Sequence, residues 1–516
     1  MNSANLTILI TIVCYMLMTI IVGLYFSNKN KNTGDFYLGG RKLGPFVTAM
    51  SAEASDMSAW LLMGLPGVAY ISGCGEAVWT VIGLGVGTYI NWLIVAKRLR
   101  LYSNKIGAIT IPDFFANRFR DKYALKLISA LIIIIFFVPY TGSGFAACGK
   151  LFKSLFGVDY HAAMIISAAV IIIYTTLGGF LAASTTDFVQ GIIMTTALVA
   201  IVLFGVHEMH GEANIYHSVK DIPGYLSLTH ITADMKKAGI GSAGGFGIIA
   251  IISTLAWGLG YFGMPHVLLR FMAIKDPKKL KTSRRFASVW VFISMFIAIF
   301  IGITGLAMSI AGKIDFLGAD GSETIIVVIA NLMSKYGIFF AIVAGIVLAG
   351  ILASTMSTSD SQLLAASSSV SENILDGVFG IKLTEAKKML IARVAVICIA
   401  VIGVIIAWDP NSSVFEIVSF AWGGFGATFG PVMLVSLFWK RSNKYGCIAG
   451  MVVGAITIFV WKFLVRPNVP ALDFYELLPA FILALLTIII VSIATPKPEK
   501  AIVDEFNSVK KEMHAK

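Results

Sequence analysis

The sequence predicts an all-α protein that crosses a bilayer many times. Three observations carry that prediction. Hydrophobic residues make up 57% of the 516 positions and charged residues only 13%, against about 25% charged in a soluble domain. Apolar runs of membrane-crossing length recur from one end to the other. Two of those runs are interrupted by glycine and proline at matching places. Together these exclude a soluble domain of useful size. The net charge of +12 does not call for nucleic acid, because the Lys and Arg residues fall in short loops between apolar runs. Five cysteines (Cys14, Cys74, Cys148, Cys398 and Cys447) are scattered without metal spacing or a paired framework and read as small core residues.

Thirteen spans are expected, near 5–27, 45–72, 76–96, 126–147, 160–183, 187–206, 243–267, 286–311, 337–371, 387–408, 413–438, 446–464 and 475–495. No basic residue precedes the first run and no cleavage site follows it, so it reads as a retained span rather than a signal peptide. Loop charge sets the orientation. Lys29, Lys31, Arg41 and Lys42 follow the first span, eight basic residues lie from Lys97 to Lys126, and seven from Arg270 to Arg285. The alternate loops are poor in Lys and Arg, which places the N-terminus outside and the C-terminus inside. The tail from Pro496 is short and charged and is expected to be mobile.

The first interrupted span contains SAEASDMSAWLLMGLPG, residues 51–67, with Glu53 and Asp56 ahead of a Gly-Leu-Pro-Gly breaker. Carboxylates cost several kcal/mol in such a place and mark function. The second is LAWGLGYFGMPHVLLRF, residues 255–271, with Gly258, Gly260, Gly263 and Pro265 close together. Each break opens a block of five spans, so the second block enters the membrane with opposite polarity. The expected organisation is a first span and loop (1–44), one repeat (45–206), an extracellular loop (207–242), a second repeat (243–438), two closing spans (439–495) and a tail (496–516). Paired breaks in two inverted halves point to a transport site, where freed carbonyls and helix ends can face an ion and an anionic group. One such break alone would be ordinary membrane-helix composition.

A third unusual stretch, GILASTMSTSDSQLLAASSSVSE at 350–372, continues an apolar run without a loop signal. Ser354, Ser357, Thr358 and Ser361 fall at i, i+3, i+4 and i+7, on one helix face with Asp360 beside it. A single membrane hydroxyl commonly bonds back to its own helix or glues two helices together. Four of them beside a carboxylate make an oxygen-rich surface suited to a hard cation such as sodium. The glycine pairs Gly83/Gly87 and Gly450/Gly454 read as close helix packing.

SDMSAWLLMGLPG, LGGFLAASTTDFVQ, LAWGLGYFGMPHVLLRFMA and MSTSDSQLL, in that order, closely resemble the sodium:solute symporter family, within it the branch that carries proline. The resemblance spans nearly the whole chain. It implies a leucine-transporter-like 5+5 inverted repeat with broken helices, one span before the repeats and two after. It implies sodium held by the carbonyls of Ala54, Met57 and Ser354 and the hydroxyls of Ser357 and Thr358. By the same match Asp56 serves sodium coupling, Asp187 lies on the ion path, and Asp360 and Ser361 stand where relatives build a second ion site. Ser58, Ala59, Tyr140, Trp257, Tyr261 and Pro265 fall in the implied substrate region. The chain departs from the pattern at Ala59 (usually Gly), Met264 (usually Gln) and Glu53 (usually a small residue). The first two bear on specificity. Glu53 has no role in the pattern.

The expected function is inward symport of sodium with a small amino acid, most simply L-proline, by alternating access at a plasma membrane. A sodium- or proton-coupled carrier for another amino acid, betaine or pantothenate is the alternative. The expected partners are a proline-like solute and the bilayer, with no nucleic acid and no obligate protein. An enzyme is disfavoured: HEMH at 207–210 is not HExxH, and no nucleotide-binding glycine motif lies outside the apolar runs. A channel would favour a repeated pore segment, and a sensor an output domain.

Overall fold

The computed structural model describes residues 3–27, 32–381 and 384–514. Lys29 and Lys31, counted above among loop charges, lie outside the described residues. Apolar runs become helices almost throughout, as they must where the surroundings offer no hydrogen bonds to the backbone. Among the described residues, ten helices are long and apolar enough to cross a membrane, or eleven if the bent pair Ile248–Phe262 and Pro265–Ala273 counts as one span. Thirteen spans are therefore not reproduced by length and hydropathy alone, for two physical reasons. The run 45–72 is divided into Pro45–Ala59, a π-helical turn at Trp60–Gly64 and Leu65–Ser72, none of membrane-crossing length. The expected spans 160–183 and 187–206 merge into one helical run, Tyr160–Glu208, of 49 residues. At about 1.5 Å per residue that is over twice the hydrocarbon thickness of about 30 Å. Its backbone turns out of helical geometry at Gly179 (φ 63°, ψ −168°), a conformation glycine adopts without steric cost.

The helix Ile338–Ser368 lies at the centre. It packs against Ser3–Ser27, Pro45–Ala59, Ala124–Phe156 and Tyr160–Glu208. Every residue from 347 to 369 is buried. That explains how a serine-rich segment sits at membrane depth: its hydroxyls meet other helices, not lipid. The helix Cys74–Ile90 runs beside the second break. A Cβ on Gly87 would lie 2.4 Å from the Gly258 Cα, and one on Gly83 would lie 2.5 Å from the Leu255 carbonyl oxygen. The glycine pair is thus a backbone-to-backbone contact, as the packing reading requires. Gly454 similarly abuts the Ala427 carbonyl.

Three expectations need correction. Only Cys148 and Cys447 are buried, whereas Cys14 and Cys398 are exposed on outer helix faces and Cys74 is intermediate. Small apolar side chains suit a lipid-facing surface as well as a core. Arg98, Arg118 and Arg270, counted as loop charges, are buried in helices. Their long stems and ring-stacking guanidinium groups fit apolar surroundings. The tail is ordered: Lys500–His514 is a helix whose Ile502, Phe506 and Val509 are buried. The spacing i, i+4, i+7 makes one apolar face. The Arg98 and Arg118 guanidinium groups lie 4.8 and 5.2 Å from the Phe506 ring centre, within cation–π range.

Phe506→Ala should release this helix. Loss of a buried phenyl costs about 3 kcal/mol, which raises the undocked population roughly a hundredfold. Limited trypsin cleavage at Lys510 and Lys511, compared with the parent protein, measures it.

Candidate sodium and substrate site

The first break is centred on Ser58, at φ 45° and ψ −169°. A non-glycine residue there is strained and is held in place only by its surroundings. The Trp60 amide donates to the Ser58 hydroxyl at 3.1 Å and turns back to the Met57 and Ser58 carbonyls. In the turn before Ser58 leaves the helix, the Ala54 carbonyl accepts from the Ser357 hydroxyl at 2.8 Å.

That bond joins the first broken helix to the central one. On the central helix, the hydroxyls of Ser357 and Thr358 both reach the Ser354 carbonyl, each at 3.1 Å. Four of the five expected oxygens therefore meet: Ala54 O, Ser354 O, Ser357 Oγ and Thr358 Oγ1. The fifth, Met57 O, lies in the same broken turn but bonds to Trp60. A hydroxyl keeps two lone pairs beyond its proton. With its proton turned away, each hydroxyl can offer a lone pair beside the Ala54 and Ser354 carbonyls.

Asp56, two residues after Ala54, is buried. Its Oδ2 accepts from the Tyr261 hydroxyl at 2.7 Å, and its main-chain oxygen accepts from Tyr140 at 3.3 Å. Oδ1 has no hydrogen-bond partner among the described residues, and the His266 Nε2 stands 3.9 Å away. Asp56, Tyr140 and Tyr261 thus converge from three separate helical segments.

Trp257 belongs to a stack above them. Its ring lies 5.7 Å from Trp60, 5.5 Å from Phe415 and 5.1 Å from Tyr475. It lines a cavity of about 910 Å³ that also touches Gly64, Ser72, Glu323 and Tyr475. On the opposite side, the space between Arg270, Phe180 and Ser361 is only about 10 Å³, room for about one water. The larger space lies on the Trp257 side, and the space beside Arg270 is far smaller. Pro265 and Ala59 hold the backbone rather than contribute polar groups. Pro265 starts the helix Pro265–Ala273, where a missing N–H costs nothing, and Ala59 is buried at the first break.

Asp187, Asp360 and Ser361 form a second polar group, organised by a residue that the sequence reading assigned to a loop. Arg270 donates through Nε to Ser51 at 2.9 Å, through one terminal nitrogen to the His266 carbonyl at 3.1 Å, and through the other to Asp187 at 3.1 Å and to Ser361. Ser51 also donates to Asp187 at 2.6 Å. Ser361 donates to Asp360 at 3.0 Å and to the Ser357 carbonyl at 2.9 Å. Tyr174 donates to Asp360 at 2.8 Å and contacts Thr186. This network reaches the Ser354, Ser357 and Thr358 oxygens through the Ser357 carbonyl. Arg270, Ser51, Tyr174 and His266 were missed in the sequence. The available signal was Arg270 itself, one of the few charges inside the apolar run at 255–271.

Residues 36–454 match the sodium:solute symporter family. The osmoregulated proline transporter OpuE of Bacillus subtilis is 41% identical over 499 residues, covering 96% of each chain. A sodium/proline symporter of Staphylococcus aureus is 40% identical over 516 residues, covering 98% of this chain and 96% of that one. Among solved structures, a sodium-coupled sialic acid symporter in a substrate-bound outward-open state superposes with a TM-score of 0.78 at 18% identity, over 97% of this chain and 99% of that one. The nucleobase-cation symporter Mhp1 gives 0.52 at 15% identity, over 92% and 98%. These two show the fold: a leucine-transporter-like bundle with broken helices. The interrupted helices, the hydroxyl face and these matches over most of the chain lead to one conclusion: the chain belongs to the sodium:solute symporter family.

Proposed function

We propose that this chain couples inward sodium movement to uptake of L-proline or a closely related small solute. The Ser357–Ala54 contact carries the reading, because it places a hydroxyl of the central helix against a backbone carbonyl in the turn before the first break. Sodium enters among Ala54 O, Met57 O, Ser354 O, Ser357 Oγ and Thr358 Oγ1, with Asp56 supplying negative charge nearby. Asp187, Asp360 and Ser361 serve ion coupling or hold a second ion. The names of the two proline-carrying relatives support proline. Tyr140, Tyr261 and Trp257 supply aromatic faces for a pyrrolidine ring and its ammonium, and the break at Ser58 and Ala59 leaves helix ends for a carboxylate.

Loop charge supports a plasma-membrane orientation with the N-terminus outside and the C-terminus inside. On that orientation the 910 Å³ cavity faces out, which supports an outward-facing reading. The ion binds first and draws the first broken helix against the central one. Solute then binds beneath Trp257, the outer cavity closes, and the Arg270 side opens. The two five-span blocks, 45–206 and 243–438, are the inverted halves whose relative movement exchanges the faces.

The energetics suffice. One charge crossing about 150 mV yields roughly 3.5 kcal/mol, and a tenfold sodium gradient adds about 1.4 kcal/mol. One ion supports roughly three to four decades of accumulation. Uptake of labelled proline into proteoliposomes, with sodium replaced by choline and a panel of unlabelled competitors, tests coupling and substrate together. Loss of uptake in choline and competition by proline alone are expected. Uptake that persists in choline overturns sodium coupling.

Trp257→Ala should raise the half-saturating proline concentration at least tenfold, with half-saturating sodium changed less than threefold. The ring contributes stacking worth about 1–2 kcal/mol and touches none of the cage oxygens. Unchanged proline saturation would remove Trp257 from the pocket.

A further inference from the structure

Glu53 is the one buried carboxylate on the first broken helix that the transport reading leaves idle. It is fully buried, and it immediately precedes Ala54, whose carbonyl faces Ser357. Its Oε1 accepts from the Trp92 indole at 2.8 Å and from the Thr88 hydroxyl at 3.1 Å. Oε2 has no hydrogen-bond partner among the described residues, so both bonds rest on one oxygen. Thr88, Asn91 and Trp92 are spaced i, i+3, i+4 and share one face. Asn91 and Trp92 open a π-helical stretch, Asn91–Val95, an arrangement common at functional sites.

The same face holds the second broken helix. The Asn91 side-chain amide donates to the Tyr261 carbonyl at 3.0 Å. The Trp92 ring lies 4.4 Å from Phe271, in the half-helix Pro265–Ala273. One turn earlier, Gly87 meets Gly258 backbone to backbone. The segment 83–92 is therefore a strut that touches both interruptions, and Glu53 is its only hydrogen-bonded tie to the first among the described residues.

We propose that Glu53 is a positioning residue: tied to Trp92 and Thr88, it holds the Ala54 carbonyl in the cage and links that carbonyl to the position of the second broken helix. The bond that matters is the acceptor on Oε1, not a negative charge. A cage of neutral oxygens tolerates only small displacements of its members, so loosening this tie weakens sodium binding selectively. The proposal rests on the reading of Ala54 as a sodium ligand.

The test measures uptake against sodium and against proline in Glu53→Ala, Glu53→Gln, Trp92→Phe and the Glu53→Ala/Trp92→Phe pair, with Ser357→Ala alongside. Trp92→Phe keeps an aromatic ring on the Phe271 side and removes the donor, with a smaller side chain. Glu53→Gln keeps the acceptor. Half-saturating sodium should rise about tenfold in Glu53→Ala and at least threefold in Trp92→Phe, with no further rise in the pair. Glu53→Gln should stay within threefold of the parent. Half-saturating proline at saturating sodium should change less than twofold in all four. If Ser357→Ala loses sodium dependence while Glu53→Ala and Trp92→Phe keep it, the positioning role is overturned and the cage stands. Glu53→Gln as impaired as Glu53→Ala overturns it in favour of charge. If Ser357→Ala is normal, the cage itself falls. Should Glu53→Ala fail to insert, Trp92→Phe decides the matter, and an unshifted sodium response there overturns the proposal.

Discussion

Ser357→Ala combined with Thr358→Ala abolishes sodium-driven uptake at physiological sodium while the protein still inserts. The two hydroxyls are two of five proposed ligands, and their methyl replacements cannot turn a lone pair toward a cation. A polar contact to a charged group is worth about 1.5–3 kcal/mol. Losing two weakens sodium binding by about 3–6 kcal/mol, or roughly two to four decades. Stability should fall only modestly: Ser357→Ala takes a buried donor from the Ala54 carbonyl, at about 1–3 kcal/mol, while Thr358→Ala removes a bond within its own helix. The single variants should each raise half-saturating sodium at least tenfold. Ser357→Ala should be the worse of the two, since it alone also breaks the bridge to Ala54. Sodium titration of uptake, together with sodium-induced thermal protection in detergent, separates lost binding from lost folding. Near-normal sodium dependence in the double variant would remove the cage.

The bundle was legible because lipid imposes a simple rule: long apolar runs become helices. The second break was legible for the same reason, since Gly258, Gly260, Gly263 and Pro265 defy that rule within one run; the first was read at the Gly-Leu-Pro-Gly of 64–67, but the chain leaves helical geometry at Ser58 and Leu65–Ser72 stays helical. The hydroxyl face could be read from i, i+3, i+4 spacing, because helical geometry alone puts Ser354, Ser357 and Thr358 together. Residues joined across helices could not. Nothing local tells that Ser51 and Arg270 meet, 219 positions apart, or that Thr88 faces Glu53. Arg270 was read as a loop charge because a basic residue near the end of an apolar run usually is one. It is buried because Asp187, Ser51 and Ser361 come from three other helical segments to receive it. The tail misled for a related reason. Its charges suggest a solvated segment, whereas the apolar i, i+4, i+7 face at Ile502, Phe506 and Val509 decides where it docks. Length and hydropathy count ten or eleven spans among the described residues rather than thirteen, because they do not score a crossing built from short pieces or divide a merged helical run.

Arg270→Ala should damage the protein more than any other single change at the site. Removing one partner of a buried ion pair costs about 3–5 kcal/mol, because the remaining charge is left without compensation. Here the loss is wider. One guanidinium serves Ser51, the His266 carbonyl, Asp187 and Ser361, and Asp187 Oδ1 already lacks a partner among the described residues. Arg270→Lys should not rescue it, since an ammonium carries the charge but cannot present three nitrogens in a planar fork. Uptake should fall at least a hundredfold in both variants, and thermal stability should drop most in Arg270→Ala. The neutral pair Arg270→Gln/Asp187→Asn discriminates between two roles. If the ion pair only keeps the half-helix Pro265–Ala273 folded against the bundle, removing both charges restores stability and transport together. If it also carries coupling from Ser361 to the cage, the pair restores stability while sodium-driven uptake stays low. The second outcome is expected, because Ser361 donates to the Ser357 carbonyl and loses its fixed partner in any variant without the guanidinium. Thermal unfolding and uptake measured on the same preparations decide between them, and full recovery of both would confine Arg270 to holding the fold.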